Sequence, residues 1–526
     1  MDIMEEKNVG MRLIKKGKKS LLSVVFSRFW IMSILIILQF IVLFGSVFWF
    51  GEYRPYYDAT KNVFVALMVL YVLNNNMNST AKITWLVLVM LFPVFGALLF
   101  WFTQLELGHR MEKARLTHLI DSTKTSIQQD KKVLQRIGEE SPETEALVHY
   151  LSRSGCFPIY DQTEVTYFSL GEEKFSELLK QLVLAEKFIF LEYFIVEEGV
   201  MWGQILEILA KKAKEGVEVR VMYDGTCESS LLPHDYPKRL RELGIQCKIF
   251  APVTPFLSTH YNYRDHRKIV VIDGKVAFTG GVNLADEYIN ERKRFGHWKD
   301  TAVMLKGEAV KSFTLMFLQM WGVEEKTLEV YKYVNIQAPP AKQVKGYVIP
   351  YGDCPLDNDK VGERVYMDIL NRANKYVHIM TPYLILDGEM ETALRFAAKR
   401  GVDVKIILPG IPDKKTAFAL AKSHYKNLLE AGVKIYEYTP GFVHAKVFAS
   451  DDCKAVVGTI NLDYRSLYHH YECATYMYKT DCIADIERDF EETLKKCNCV
   501  TKEAVKKEKL IWKLSGWILK VVAPLM

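Results

Sequence analysis

The pattern of apolar and polar positions changes character near residue 145. Before it, long apolar runs dominate. Phe29 to Gly51 carries no charge over 23 residues, and Ile83 to Thr103 none over 21. Either run is long enough to cross a bilayer core as a helix, and Pro93 and Gly96 are tolerable inside such a helix. Asn62 to Ala81 is also uncharged, but only Val63 to Leu73 is strongly apolar. That segment reads as a short third span or as a partly inserted helix. After residue 145, helical and strand-like stretches alternate. Phe175 to Leu184 has helical periodicity, Phe188 to Leu191 is a buried-strand run, Gln204 to Lys214 is helical, and Val217 to Val221 is a strand stopped near Asp224-Gly225. The order returns with a helix over Arg364 to Ala373, a strand over Tyr376 to Met380, a helix over Met390 to Lys399 and a strand over Val402 to Leu408.

This recurrence predicts two homologous α/β halves, each a sheet flanked by helices. Lys214-Glu215-Gly216-Val217-Glu218-Val219 parallels Lys399-Arg400-Gly401-Val402-Asp403-Val404. The halves are expected at 145–335 and 343–500, parted by the linker-like stretch Ile336 to Ala341. Residues 104–144 form a connector, in which the mostly polar helix Met111 to Lys132 reads as solvated. Leu510 to Met526 sets Trp512 and Trp517 among lysines and aliphatics. It reads as an amphipathic helix at 501–526 that touches a membrane or packs on the domain.

Charge orients the N-terminal region. The first 28 residues carry seven Lys/Arg, which places this tail in the cytoplasm. Arg110, Lys113 and Arg115 prefer the same side, so two spans within 29–103 satisfy both ends and three do not. The two α/β halves are then expected at the cytoplasmic face of a cell membrane. A net charge of +6 suits an anionic membrane surface and is too small to argue for nucleic acid. The nine cysteines are scattered and odd in number; they read as reduced thiols.

One three-residue constellation occurs twice. His266, Lys268, Asp273, Gly280 and Asn283 recur as His444, Lys446, Asp451, Gly458 and Asn461, each pair 178 positions apart. Core packing has no reason to duplicate such a set; a site built from two half-sites does. Both motifs begin apolar strand-like runs, so His and Lys at i and i+2 share a face. Asp273 and Asp451 fall at turns with the opposite parity and read as structural members of the candidate catalytic set. A His can serve as nucleophile or general acid–base, a Lys as a point charge for phosphate oxygens, and an Asn amide as a neutral donor. Two such sets facing each other form a cage for a tetrahedral phosphoryl group, with no metal or cofactor required. His297 and the pair His469-His470 lack metal-ligand spacing and read as helix-surface or loop residues.

The duplicated motif resembles the phospholipase D superfamily, whose pattern is two H-x-K-x4-D motifs. Asn262 to Lys268, Tyr438 to Lys446, Trp298-Lys299-Asp300, Leu408 to Asp413, Asn461 to Ser466 and Lys82 to Gly96 narrow the resemblance to bacterial cardiolipin synthases. The resemblance implies two phospholipase D-like domains forming one pseudo-two-fold active site behind N-terminal transmembrane helices. It implies transfer of a phosphatidyl group between two phosphatidylglycerols, giving cardiolipin and glycerol through a phosphohistidine. It further implies His266 as nucleophile and His444 as acid–base, although pseudo-symmetry allows the exchange. Lys268, Lys446, Asn283 and Asn461 would bind phosphate, and Asp300 and Glu472 would orient the histidines. Gly281 departs from the Ser of many members, whereas Thr459 fills the equivalent place. Hydrolytic phospholipase D activity uses the same motifs with water as acceptor. A nuclease or phosphodiesterase of the same superfamily fits the apolar N-terminal region poorly.

Overall fold

A computed structural model describes residues 54–104, 110–155, 157–252, 263–325, 327–336, 344–357 and 359–525, with Ile37 and Ile41 in addition. The basic tail 1–28 lies outside the described residues, as does the expected span 29–51 apart from those two isoleucines. Among the described residues no helix is long and apolar enough to cross a membrane. The expected span 83–103 is instead two helices, α2 (Ser79–Leu91) and α3 (Pro93–Gln104), preceded by α1 (Arg54–Leu73). Pro93 lacks an N–H and Phe92 leaves helical geometry at φ −133°, ψ 75°, so the chain turns there. Gly96 lets α3 fold back on α2, since a Cβ at this position would lie 2.7 Å from the Leu88 carbonyl oxygen. Helices of 13 and 12 residues are about 20 and 18 Å long, short of an apolar core about 30 Å thick.

The two halves repeat one topology. The first contains β1 (Thr163–Phe168), β2 (Phe188–Tyr193), β3 (Glu218–Asp224), β4 (Gln246–Phe250), β5 (Arg264–Asp265), β6 (Lys268–Ile272), β7 (Val276–Gly280), β8 (His297–Lys299) and β9 (Ala302–Gly307). The second contains β10 (Tyr347–Asp353), β11 (Tyr376–Met380), β12 (Asp403–Pro409), β13 (Lys434–Tyr438), β14 (Gly441–Val443), β15 (Val447–Ser450), β16 (Lys454–Gly458), β17 (His470–Tyr478) and β18 (Cys497–Cys499). The sheet orders are β1-β9-β7-β6-β2-β3-β4 and β10-β17-β16-β15-β11-β12-β13-β18. Up to β13 the second order reproduces the first strand for strand. The motif strands β6 and β15 are central in their sheets. Each runs antiparallel to both neighbours, β2 and β7 or β11 and β16.

Strand alternation sorts the core. Ile269 and Val271 of β6 face a core shared with Val447, Ala449 and Met477 of the second half, while Val270 and Ile272 face the first half's own helices. Helix α4 (Val310–Trp321) is buried in that shared core along its length. Two expectations change here. The helix Arg110–Thr123 is not a solvated connector, because Leu116, Leu119 and Thr123 are buried and Gln319 of α4 donates to Thr123 Oγ1. The helix Pro142–Gly155 buries Leu147, Val148 and Leu151 in the second half's core, so the first half begins at β1 rather than at residue 145. Helix α6 (Leu510–Val522) packs on α5 (Lys415–Ala431), where a Cβ at Gly516 would come within 2.9 Å of the Ala419 carbonyl oxygen. Its other face leaves Leu510, Ile511, Trp517 and Ile518 exposed.

Candidate active site

The ends of the motif strands meet across the junction of the halves, and short backbone ladders set the register. Arg264 and Asp265 of β5 pair in parallel with His470 and Tyr471 of β17, and His266 N–H then donates to the Tyr471 carbonyl at 2.9 Å. The residue after Tyr471 is Glu472, whose carboxylate takes His266 Nδ1 at 2.9 and 3.0 Å. The other motif mirrors this. Strand β14 pairs in parallel with β8, His444 N–H donates to the Lys299 carbonyl at 2.7 Å, and the next residue, Asp300, takes His444 Nδ1 at 2.6 Å. Each histidine is therefore held by the carboxylate of the opposite half. Both carboxylates are fully buried, at 0 % exposure.

With Nδ1–H committed to a carboxylate, Nε2 of each imidazole keeps its lone pair. Burial, reinforced by Lys268, holds the His266 pKa well below its usual value; burial and Lys446 bring His444 down to about 4. Both imidazoles are neutral near pH 7. Lys268 Nζ donates to the His266 carbonyl at 2.6 Å, and Lys446 Nζ donates to that of His444. Lys446 Nζ also stands 2.9 Å from His444 Nδ1. A carboxylate can only accept, so the Nδ1 proton goes to Asp300. Burial lowers Lys268 to about 8 and Lys446 to about 7. An anion between these lysines restores their charge and favours protonation of one imidazole. Because kcat/KM reports the free enzyme's groups, it should fall on the alkaline side as pH rises through about 7 to 8 and the lysines discharge. On the acid side it should hold until the nucleophilic imidazole of His266, kept well below its usual pKa by burial and Lys268, takes up a proton. A rate profile from pH 4 to 10 checks this; a plateau extending beyond pH 9 contradicts it.

The remaining expected residues divide. Asn461 Oδ1 is buried without a hydrogen-bond partner among the described residues. Asn283 is more committed: its Oδ1 accepts from Ile195 N–H and its Nδ2 donates to the Tyr288 hydroxyl, leaving one N–H. Asp273 and Asp451 do not reach the histidines. Asp273 accepts from the backbone N–H groups of Glu186, Lys187 and Phe188, and Asp451 from those of Asn374, Lys375 and Tyr376. They anchor the starts of β2 and β11 at the far ends of the motif strands. Their place in the candidate catalytic set is corrected to a bracing role. Losing three such bonds, an Asp273→Ala variant should unfold about 2–4 kcal/mol more easily, read by denaturant titration.

The duplicated glycines have a steric cause. A Cβ on Gly280 would lie 2.4 Å from the Thr301 carbonyl oxygen, and one on Gly458 2.3 Å from Ala474 Cβ. The next position breaks the symmetry. Thr459 Oγ1 donates to Glu472 Oε2, and Ser466 Oγ donates to Oε1 at 2.5 Å. A Cβ on Gly281 would stand 2.0 Å from Asp300 Oδ1. The glycine that departs from the family pattern thus makes room for the carboxylate, and Gly281→Ser should lower kcat about 10- to 100-fold by displacing Asp300.

The family model described as "Cardiolipin synthase, PLD-like domain" matches residues 178–321 and 366–494. The "Cardiolipin synthase" of Alkalihalophilus pseudofirmus is 34% identical, the alignment covering 88% of this chain and 92% of that one. The chain belongs to the cardiolipin synthase family. The "Cardiolipin synthase 2" of Bacillus anthracis is also 34% identical, over 89% of this chain and 90% of its own length. A solved phosphatidylserine synthase from Haemophilus influenzae shares the fold at a TM-score of 0.56 and 15% identity, over 73% of this chain and 97% of that one. In this cardiolipin synthase-family chain, sequence reasoning missed the wall of the site. Tyr288 and Trp298 lie 5.4 Å from the His444 ring, and Phe194 lies 4.9 Å from that of His266. His470, expected on a surface, is 7 % exposed on β17 with its ring 5.3 Å from His266. The spacing His470-x-Glu472 on a strand was the available signal, since it puts both on one face. Three groups of side chains among the described residues bring ligand atoms within 4.8 Å of one another: His266, His470 and Glu472; His378, Glu487 and Glu491; and Glu363, Asp387 and Glu389.

Proposed function

We propose that the protein is a cardiolipin synthase that transfers a phosphatidyl group between two phosphatidylglycerols through a phosphohistidine. The reading rests on one observation: two neutral imidazoles, each backed by a buried carboxylate from the opposite half. His266 Nε2 attacks phosphorus, the bond to the glycerol oxygen breaks, and His444 as imidazolium gives that oxygen its proton. The terminal hydroxyl of a second phosphatidylglycerol then yields its proton to His444 and attacks phosphorus, and the P–N bond to His266 breaks. Two phosphatidylglycerols become cardiolipin and glycerol. Lys268, Lys446, Asn461 and the spare N–H of Asn283 hold the phosphoryl oxygens as charge develops. The electrostatics support this assignment of the histidine roles. Asp300 raises His444 against the pull of burial, whereas burial and the charges of Lys268 and Lys446 lower His266 well below its usual value. His444 therefore takes up a proton more readily and suits the acid–base, and His266 suits the nucleophile.

The enzyme acts at a membrane in this reading. The exposed apolar side chains Val63, Leu67 and Leu70 of α1, Met90, Leu91 and Trp101 of α2 and α3, and Trp517 and Ile518 of α6 form a lipid-facing surface. Thr84 of α2 joins it by donating to the Val521 carbonyl at 2.6 Å. Residues 29–51 serve as an anchor, with the catalytic halves on the cytoplasmic side. Labelled phosphatidylglycerol in mixed micelles tests the activity. Cardiolipin and free glycerol in equal amounts are expected, and phosphatidic acid without cardiolipin would indicate a hydrolase instead. In a chain shortened to begin at residue 54, so that the anchor is removed, loss of vesicle binding in a Trp101→Glu/Trp517→Glu double variant tests the surface; undiminished flotation with vesicles would reject it.

A further inference from the structure

One of the positions at which the two half-sites differ sets a ring beside each motif histidine. Two residues before each buried carboxylate a ring packs beside the motif histidine: Trp298 beside His444, 5.4 Å between centroids, and His470 beside His266, 5.3 Å. An aromatic wall is all the first position needs. The second carries two nitrogens, and neither has a hydrogen-bond partner among the described residues although the residue is 7 % exposed. An unpaired buried polar group is costly and persists where something outside the fold completes it.

The surroundings specify that partner. His470 Nδ1 stands 3.6 Å from Glu472 Oε1, the same oxygen that takes His266 Nδ1 at 2.9 Å. The donor set is two imidazole nitrogens and one carboxylate oxygen with ligand atoms within 4.8 Å, the set preferred by borderline-soft divalent ions. Ligands about 2.0–2.2 Å from a tetrahedral Zn²⁺ lie about 3.3 Å apart, between the two separations found. We propose that His266, His470 and Glu472 form a site for a divalent cation of the Zn²⁺ class, and that its occupation switches the nucleophile off. The ion takes the place of the proton shared by His266 Nδ1 and Glu472, releasing one proton to solvent. It thereby withdraws the orienting carboxylate from His266. Among the described residues the opposite motif has no such site, because Trp298 offers only an N–H donor. The switch rests on the phosphatidyl-transfer reading above; the binding site does not.

Two measurements separate these statements. Full-length protein in detergent is titrated with Zn²⁺ against a fluorescent zinc indicator at neutral pH, in wild type, His470→Phe and His470→Asn. Wild type should take up one ion that both variants bind about 10- to 100-fold more weakly, and Mg²⁺, a hard cation, should not displace it. Circular dichroism of each variant establishes that it is folded. The second measurement is acid-quenched phosphatidyl-adduct formation with and without Zn²⁺. Adduct should vanish with the ion in wild type, return with a chelator, and persist with the ion in His470→Phe. No uptake by wild type, or equal uptake by the folded variants, overturns the site. Uptake without loss of adduct overturns the switch. Uptake by a protein that makes no cardiolipin leaves the site standing and rejects the functional reading.

Discussion

His266→Ala abolishes the phosphatidyl-enzyme adduct and lowers cardiolipin formation by about 10⁴-fold or more, the scale seen when a covalent nucleophile is removed. Position and electrostatics both lead to this result. The imidazole is nearly enclosed, its Nδ1 is tied to Glu472, and burial with the Lys268 charge keeps it unprotonated. His444→Ala has a different signature. Adduct forms slowly, because glycerol departs without a proton donor. A substrate whose leaving group needs no proton, such as a phosphatidyl nitrophenol, restores the first step in His444→Ala and not in His266→Ala. Rapid acid quench with labelled lipid measures both. Adduct retained in His266→Ala and lost in His444→Ala would exchange the two roles.

The second large effect comes from the exchanged carboxylates. Glu472→Gln should lower kcat about 10²- to 10⁴-fold, as expected where an acid that fixes a histidine tautomer becomes an amide. Glutamine presents an N–H to His266 Nδ1 and turns the ring proton toward the reacting nitrogen. It also disturbs the hydroxyls of Thr459 and Ser466, which donate to the same carboxylate. Asp300→Asn should act likewise on His444. Combining the two should cost less than the product of the single losses, since the groups act as one unit. Steady-state kinetics on the four proteins decides it. Independent, fully multiplicative losses would mean that the carboxylates do not serve a common step.

Much of this was legible in the chain. The register of His266, Lys268, Gly280 and Asn283 with His444, Lys446, Gly458 and Asn461 exposed the duplication, and strand parity separated the lysines from Asp273 and Asp451. Those aspartates do point away and bind backbone N–H groups. What stayed hidden was long-range. Nothing local says that Glu472 belongs to His266, because the pairing is made by β5 lying beside β17. The same applies to His470, a surface residue by local pattern and a buried one once that ladder forms. The apolar run 83–103 misled because hydropathy counts residues and does not weigh Pro93 and Gly96, which let a helix fold back instead of continuing. The polar look of the helix Arg110–Thr123 concealed the narrow stripe of Leu116 and Leu119 that docks on α4.

The backbone bonds from His266 to Tyr471 and from His444 to Lys299 have a mechanical consequence. Neither half holds a working imidazole by itself, so turnover reports on the closeness of the two halves and not only on the integrity of each. A hinge movement of about 1 Å at that seam would misalign both histidines at once. Heat or denaturant that parts the seam should therefore silence the enzyme while the secondary structure of both halves, followed by far-ultraviolet circular dichroism, is still intact.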